Sequence, residues 1–102
     1  MDKTILKKAH PHSFGNKAEL EKSTKCGCFY CVEIYEPKEI YDWVSKGIGD
    51  GKDTALCPYC GIDAVIGDAS GFDISTEFLN EMYDYWFENF EEAYSQDEHD
   101  NA

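Results

Sequence analysis

The chain has 102 residues, a length that suits a single domain with a modest apolar core. Its formal net charge is −12 and it contains no arginine, which disfavours direct binding to nucleic-acid phosphates, because such binding depends on lysine and arginine. Residues 53–102 carry thirteen acids and no lysine, and this acidic half favours a basic protein partner or mimicry of a nucleic acid, with solubility alone as the simpler interpretation.

A polar, basic arm is predicted at residues 1–13, which either frays or lies over the domain. His10 and His12 stand at its end. Two imidazoles so close in sequence are candidates for a secondary metal site or for a general base, although histidines in a polar segment are more commonly just solvated.

Short elements are expected on either side of the cysteines. Ser13 or Asn16 can cap a short helix that begins the domain. Residues 32–35 alternate apolar and acidic side chains, which predicts a half-buried strand, and residues 54–56 predict a second short strand.

A helix is predicted for residues 37–46. Pro37 suits its first position, where the missing N–H costs nothing, and Gly47 suits the position just past its end. Its apolar face consists of side chains three and four residues apart: Ile40, Trp43 and Val44. Three glycines in residues 47–53 then predict a flexible loop.

Four cysteines in two pairs give the sharpest signal in the chain. Cys28 and Cys31 form one pair, Cys57 and Cys60 form the other, and 25 residues separate the pairs. This spacing predicts a closed tetrahedral zinc site that is structural, because four thiolates leave no open position for water. Iron in a rubredoxin-like site is the main alternative, and a redox role for one pair would leave the other pair unexplained.

Cys26 is the fifth cysteine. It lies two residues before Cys28, so it is an alternate metal ligand, a small buried side chain or a free thiol. An odd number of cysteines and the lack of an apolar run in residues 1–25 count against a secreted disulfide framework and favour a cytoplasmic location. No stretch of 18 apolar residues predicts a membrane span.

The segment after the second cysteine pair has two interpretations. Residues 58–66 place apolar side chains at helical spacing and end at Gly67, and we prefer the resulting helix, whose first turn carries the cysteines as in a treble clef. Alternatively, residues 57–61 form a zinc knuckle and residues 64–66 form a short strand.

The longest predicted element is an amphipathic helix over residues 75–94 with Ser75 as its cap. Its apolar stripe is unusually aromatic. The candidate interaction surface on it consists of Tyr83, Trp86, Phe87 and Phe90. The simpler interpretation of these aromatic side chains is core packing over the metal lobe. The more specific one is that they anchor a protein partner, or a second copy of the chain in a homodimer. Residues 95–102 predict a disordered acidic tail.

The chain contains CGCFYC at residues 26–31 and TALCPYCGIDAVIG at residues 54–67, with Glu39, Ile40 and Trp43 between them. In these motifs it resembles a family of small bacterial and phage proteins, and the likeness covers most of the chain. The resemblance implies a cytoplasmic zinc-binding protein of bacterial origin, and it brings no established activity.

A more distant likeness is to the zinc-stapled His-Asn-His nucleases, which also place Cys-Pro-x-Cys-Gly pairs around a small metal-centred core. Their catalysis needs a histidine shortly after a cysteine pair, often following an aspartate. Here Asp63 is followed by Ala64, and residues 13–98 contain no histidine. The likeness therefore implies a related fold without the nuclease activity.

Together these observations predict a small α+β domain over residues 14–94, stabilised by zinc, of treble-clef or zinc-ribbon type, with a long C-terminal helix. The predicted function is a non-enzymatic interaction module with an acidic, aromatic surface, such as an immunity or inhibitor protein or a nucleic-acid mimic. The alternative is a small metal-dependent hydrolase or nuclease that uses His10 or His12.

Overall fold

The computed structural model describes residues 2–45 and 53–88 and confirms the α+β class. The α-helices are α1 (Lys3–Ala9), α2 (Lys17–Glu21) and α3 (Thr76–Tyr83). The strands are β1 (Cys26–Cys28), β2 (Ile34–Tyr35), β3 (Asp42–Val44), β4 (Thr54–Leu56) and β5 (Val65–Gly67). Single 3₁₀ turns cover His10–Ser13, Pro37–Glu39 and Asp68–Ser70, and a π-helical turn covers Asp84–Glu88.

Two antiparallel sheets organise the chain. The first has the strand order β2-β1-β5, and the second pairs β3 with β4. Gly27 in β1 lies opposite Ile34 on one side and Ile66 on the other. A Cβ at Gly27 would lie 2.7 Å from Leu79 Cδ1, so the missing side chain lets α3 pack directly on the central strand. The core thus forms between this sheet and the inner face of α3.

The N-terminal segment was predicted either to fray or to lie over the domain. It lies over the domain, and part of it forms the helix α1. The Asp2 carboxylate accepts a hydrogen bond from the Thr4 N–H (2.8 Å) and caps α1. Leu6 and Ala9 are buried, and the Trp86 indole N–H donates to the Leu6 carbonyl oxygen (3.2 Å). Two apolar side chains at helical spacing are enough to fix this segment against the core.

Asn16 connects three parts of the fold. It precedes α2 at the predicted cap position, but its side chain does not cap that helix. Instead the buried amide donates to the carbonyl oxygens of His12 (3.1 Å) and Val65 (2.8 Å) and accepts from the Ala55 N–H (3.1 Å). One side chain therefore joins the N-terminal segment to a strand of each sheet.

The predicted helix at residues 37–46 is wrong. Only Pro37–Glu39 forms a 3₁₀ turn, which the Glu39 carboxylate closes by accepting from the Glu36 N–H (3.0 Å). The backbone then extends into β3, where Trp43 lies opposite Ala55 in β4 and beneath the Lys17 ammonium, 5.3 Å from the ring centroid. Sheet pairing of aromatic and β-branched residues overrides the local helical spacing. The predicted end at Gly47 lies outside the described residues.

The preferred helix after the second cysteine pair is also wrong, and a strand forms there instead, one residue later than the alternative placed it. Residues 58–60 form a turn, and Val65–Gly67 form β5, which pairs with the whole of β1. The predicted strand at residues 54–56 is confirmed, and that at residues 32–35 is confirmed for Ile34–Tyr35. An apolar run this short suits a buried strand as well as a helix, so the available pairing with β1 decides which of the two forms.

The C-terminal helix begins as predicted, because the Ser75 hydroxyl accepts from the Phe78 N–H (3.1 Å) and caps α3. The α-helix ends at Tyr83 and continues as the π-helical turn. The predicted length is not confirmed, since residues 89–94 and the predicted tail lie outside the described residues. Within the described ranges, no helix is long and apolar enough to cross a membrane.

Replacing Asn16 should destabilise the whole fold. Asn16→Ala leaves the Ala55 N–H and the Val65 carbonyl oxygen buried without partners, at roughly 1–3 kcal/mol each, so the free energy of unfolding should fall by about 2–6 kcal/mol. Urea unfolding of the metal-loaded protein measures this change. Asn80→Ala, at an exposed position of α3, is the control and should change stability by less than about 0.5 kcal/mol. Equal losses in the two variants would contradict the role assigned to Asn16.

Candidate metal centre

Two cysteine turns meet at the ends of two strands. Cys28 is the last residue of β1, and Cys57 directly follows β4. The sulfurs of Cys28, Cys31, Cys57 and Cys60 all lie within 4.8 Å of one another. The closest pairs join the two turns, with 3.6 Å from Cys28 to Cys60 and 3.6 Å from Cys31 to Cys57. A tetrahedron with metal–sulfur bonds of about 2.3 Å has edges of about 3.8 Å, so the four sulfurs can hold one metal ion.

The first turn is fixed by three hydrogen bonds that backbone N–H groups donate. The Tyr30 N–H donates to the Cys28 sulfur (3.3 Å), and the Val32 N–H donates to the Cys28 carbonyl oxygen (2.8 Å). The Cys28 N–H in turn donates to the Glu33 carbonyl oxygen (3.0 Å). The N–H aimed at sulfur stabilises a thiolate, and the other two bonds close the turn.

The second turn repeats the same three bonds at the same offsets. The Tyr59 N–H donates to the Cys57 sulfur (3.4 Å), and the Gly61 N–H donates to the Cys57 carbonyl oxygen (2.9 Å). The Cys57 N–H donates to the Ile62 carbonyl oxygen (3.0 Å). The two halves of the site are therefore built alike, and each presents its cysteine pair to the other.

The residue after each cysteine pair has a left-handed backbone. Gly61 has φ +79° and Val32 has φ +61°. Glycine adopts this conformation without cost, whereas a β-branched side chain is rarely found in it. The sequence carries a signal for this conformation. Each turn has the sequence Cys-x-Tyr-Cys, followed by glycine in the second turn and by valine at the equivalent position of the first.

Burial and backbone donors act against each other on the thiols. Burial raises the pKa of Cys28, and it raises the pKa of Cys31 to about 11. Burial opposes ionisation of Cys57 too, but hydrogen-bond donors around its sulfur hold its pKa below the ordinary value. The Tyr35 hydroxyl is buried near this sulfur without a hydrogen bond of standard geometry, so we assign the effect to the N–H groups of Tyr59 and Cys60. A bound cation would stabilise all four thiolates.

Cys26 lies outside the cluster. Its side chain is fully buried, and its thiol donates to the Tyr35 carbonyl oxygen (3.5 Å). Burial raises the pKa of this thiol to about 12. Of its three predicted roles, the structure therefore places Cys26 as a small buried side chain.

The two histidines lie in different surroundings. The His10 ring packs at a tilt of 36° against the Trp86 ring, with 4.0 Å between centroids, and burial lowers its pKa despite the opposing charge of Asp63. His12 places Nδ1 3.0 Å from the Glu19 carboxylate. Among residues 2–45 and 53–88, neither histidine belongs to a cluster of three or more metal ligands, so the secondary metal site is not assembled there.

Two of the aromatic side chains predicted as an interaction surface, Tyr83 and Phe87, cover the first cysteine turn. The Phe87 ring lies 5.0 Å from Tyr30 and 5.8 Å from Phe29, and Tyr83 lies 5.9 Å from Tyr30. Tyr83, Trp86 and Phe87 are only half-buried. The inner faces of these side chains cover the core. Phe90 lies outside the described residues.

A cavity of about 480 Å³ lies beside this cover, and sequence reasoning missed it. Its walls come from four separate segments and include His10, Phe14, Phe29, Asp63 and Phe87. Nothing in their sequence spacing links these residues, because only the packing of the N-terminal segment against the first cysteine turn brings them together.

No family model matches the chain, and neither a curated protein nor a solved structure matches it. The class of the protein is therefore defined by its own fold and site, which are those of a small α+β chain with a four-cysteine cluster able to hold a metal ion.

Loss of one sulfur should abolish tight metal binding, whereas loss of the fifth cysteine should not. Cys28→Ser removes a corner of the tetrahedron, so the purified variant should contain less than about one tenth of a metal ion per chain and lose its fold. Elemental analysis and circular dichroism measure the two effects. Cys26→Ser is the control and should retain one ion per chain. Full metal content in Cys28→Ser, or its loss in Cys26→Ser, would contradict the ligand set.

A methyl group at Gly61 should weaken the second turn through the backbone alone, because no atom lies within 4 Å of the new Cβ. Gly61→Ala should lower the free energy of unfolding by about 1–2 kcal/mol and lower metal affinity in a chelator competition. Gly71→Ala is matched, since Gly71 also has a positive φ (+94°) and open space. It should lose similar stability with unchanged metal affinity. Identical affinities in both variants would show that this backbone position does not shape the site.

Proposed function

We propose that this chain is a structural-zinc protein of the reducing cytoplasm that works as a non-enzymatic interaction module for a basic protein. The observation that carries the proposal is the closed cluster of four sulfurs. A tetrahedral ion held by four thiolates has no position for water or substrate, so it organises the fold and takes no part in chemistry. The function then lies on the surface that the ion holds in place.

Zinc is the proposed ion, and iron is the alternative that the same sulfur tetrahedron accepts. Zinc suits a site whose only role is to join two turns, because it has no redox chemistry and binds thiolates in a closed tetrahedron. Elemental analysis of the protein purified from its own host should give one zinc per chain and a colourless solution. A red, iron-containing protein would overturn this assignment.

The acidic surface supports a basic partner. Four acids follow one another at helical spacing along α3 and the π-helical turn, on the side away from the core: Glu77, Glu81, Asp84 and Glu88. Glu77, Asp84 and Glu88 are exposed, and residues 53–88 include no lysine. A row of carboxylates steers a positively charged partner and repels nucleic acid. A basic toxin or a nucleic-acid-binding protein fits this surface, which suits an immunity or inhibitor role or mimicry of nucleic acid.

An enzymatic role for His10 or His12 has weaker support. The two imidazoles face different surroundings, and His12 is occupied by Glu19. A metal-dependent hydrolase needs an ion with an open coordination position, and four sulfur ligands fill the one cluster found among the described residues.

Reversing the charge of the acidic row should abolish partner capture. Glu77→Lys, Asp84→Lys and Glu88→Lys are combined in one variant. The matched control carries Glu21→Lys, Glu33→Lys and Asp42→Lys, which change three exposed acids elsewhere by the same total charge. Tagged zinc-loaded proteins are compared in pull-downs from the native host at low and high salt.

The wild type and the control should capture a basic protein, and high salt should release it. The amount that the α3 variant captures should be lower by about tenfold or more. Equal capture by the two variants would remove the acidic row as the binding surface. Recovery of no basic protein at any salt concentration would count against the proposed function itself.

A further inference from the structure

The cavity between the N-terminal segment and the first cysteine turn is aromatic and carries one carboxylate. Phe14, Phe29 and Phe87 supply its rings, and Asp63 supplies the charge. No lysine is among the residues that line it. Its volume of about 480 Å³ falls in the range of roughly 300–1,000 Å³ that is typical of ligand sites.

Three of its walls are held by contacts already described. Phe29 lies next to Cys28 and is buried, and Phe87 packs on it with 5.8 Å between ring centroids. The His10 ring packs against Trp86, whose indole N–H donates a hydrogen bond to the Leu6 carbonyl oxygen. The cavity is therefore formed before any ligand arrives, which limits the entropy lost on binding.

The charge of these walls selects a cation. An anion would meet the Asp63 carboxylate in a chain whose net charge is −12. A cation would meet that carboxylate and the negative faces of the phenyl rings. The His10 imidazole does not oppose it, because burial lowers its pKa and favours the neutral ring at pH 7.

Among biological cations the guanidinium group fits best. It is planar, it stacks on aromatic rings, and it donates two parallel hydrogen bonds to one carboxylate. The lysine ammonium is compact and strongly hydrated, so it loses more on leaving water.

We infer that this cavity receives an arginine side chain of the basic protein partner, with the guanidinium bonded to Asp63 and packed among the phenyl rings of Phe14, Phe29 and Phe87. The inference rests on the proposed function and names the residue type that the partner inserts. The acidic row of α3 then attracts the partner over a distance, while the cavity fixes the position of one side chain.

Three peptides that differ only at their central residue test this site. Acetyl-Gly-Arg-Gly-amide is compared with its lysine analogue and with its citrulline analogue, which keeps the shape of arginine and lacks the charge. Each is titrated into the zinc-loaded chain and followed by NMR. The arginine peptide should shift the amide signals of His10, Phe14, Asp63 and Ala64 and the indole signal of Trp86, and the two analogues should bind at least about tenfold more weakly.

Two variants place the binding in the cavity. Asp63→Asn should weaken the arginine peptide by about tenfold, because it removes the charged acceptor at an exposed position where the fold is not at risk. Phe14→Ala, also at an exposed position, should weaken it several-fold by removing one ring. Asp42→Asn is the control, since it makes the same chemical change on β3 away from the cavity, and it should bind as the wild type does.

Equal binding of the arginine, lysine and citrulline peptides would overturn the inference, and so would unchanged binding in Asp63→Asn. Shifts confined to Glu77, Asp84 and Glu88 would show that arginine only associates with the acidic row. In each of these cases the pull-down with the α3 variant still decides the proposed function independently. If the α3 variant fails to capture the partner and the arginine peptide does not bind the cavity, the proposed interaction module stands and the arginine site is rejected.

Discussion

The fold depends on four sulfur atoms that must lie close together. Sulfurs within 4.8 Å of one another cannot all be ionised unless a cation lies between them, because like charges at this distance repel strongly. A bound cation would thus link two turns that start from different sheets, one at the end of β1 and one after β4. Strands of two or three residues, as these are, pair over a short length, so such a link would add stability to the joined sheets.

Polar and apolar contacts of the N-terminal segment complete what the cluster begins. Asn16 bonds to a strand of each sheet, and α1 buries Leu6 and Ala9 beneath the C-terminal helix. This packing leaves the aromatic cavity on one side of the first cysteine turn and directs the acids of α3 towards solvent. The aromatic cover and the acidic row are therefore opposite faces of one helix, and each takes a separate part in the proposed recognition of a partner.

Local sequence signals succeeded where a side chain acts on its own neighbours. The Ser75 cap and the strand before Cys57 are decided within a few residues, and both are found in the structure. The local signals were wrong where pairing with a distant strand competes with the local helix. Residues 42–44 pair with β4, and residues 65–67 pair with β1, although both segments have helical spacing. Pairing satisfies backbone groups that a short helix would leave exposed at its ends.

The sequence by itself indicated that the two Cys-x-x-Cys pairs meet at one site, because a two-residue gap lets both thiols of a turn point to one ion. It also determined the acidic charge of the second half and the start of α3. Only the tertiary structure decided that Cys26 is buried in the core, that His10 and His12 separate, and that Asp63 joins three phenylalanines around a cavity. Those outcomes depend on contacts between residues far apart in the sequence, such as His10 and Trp86, and no local pattern carries such contacts.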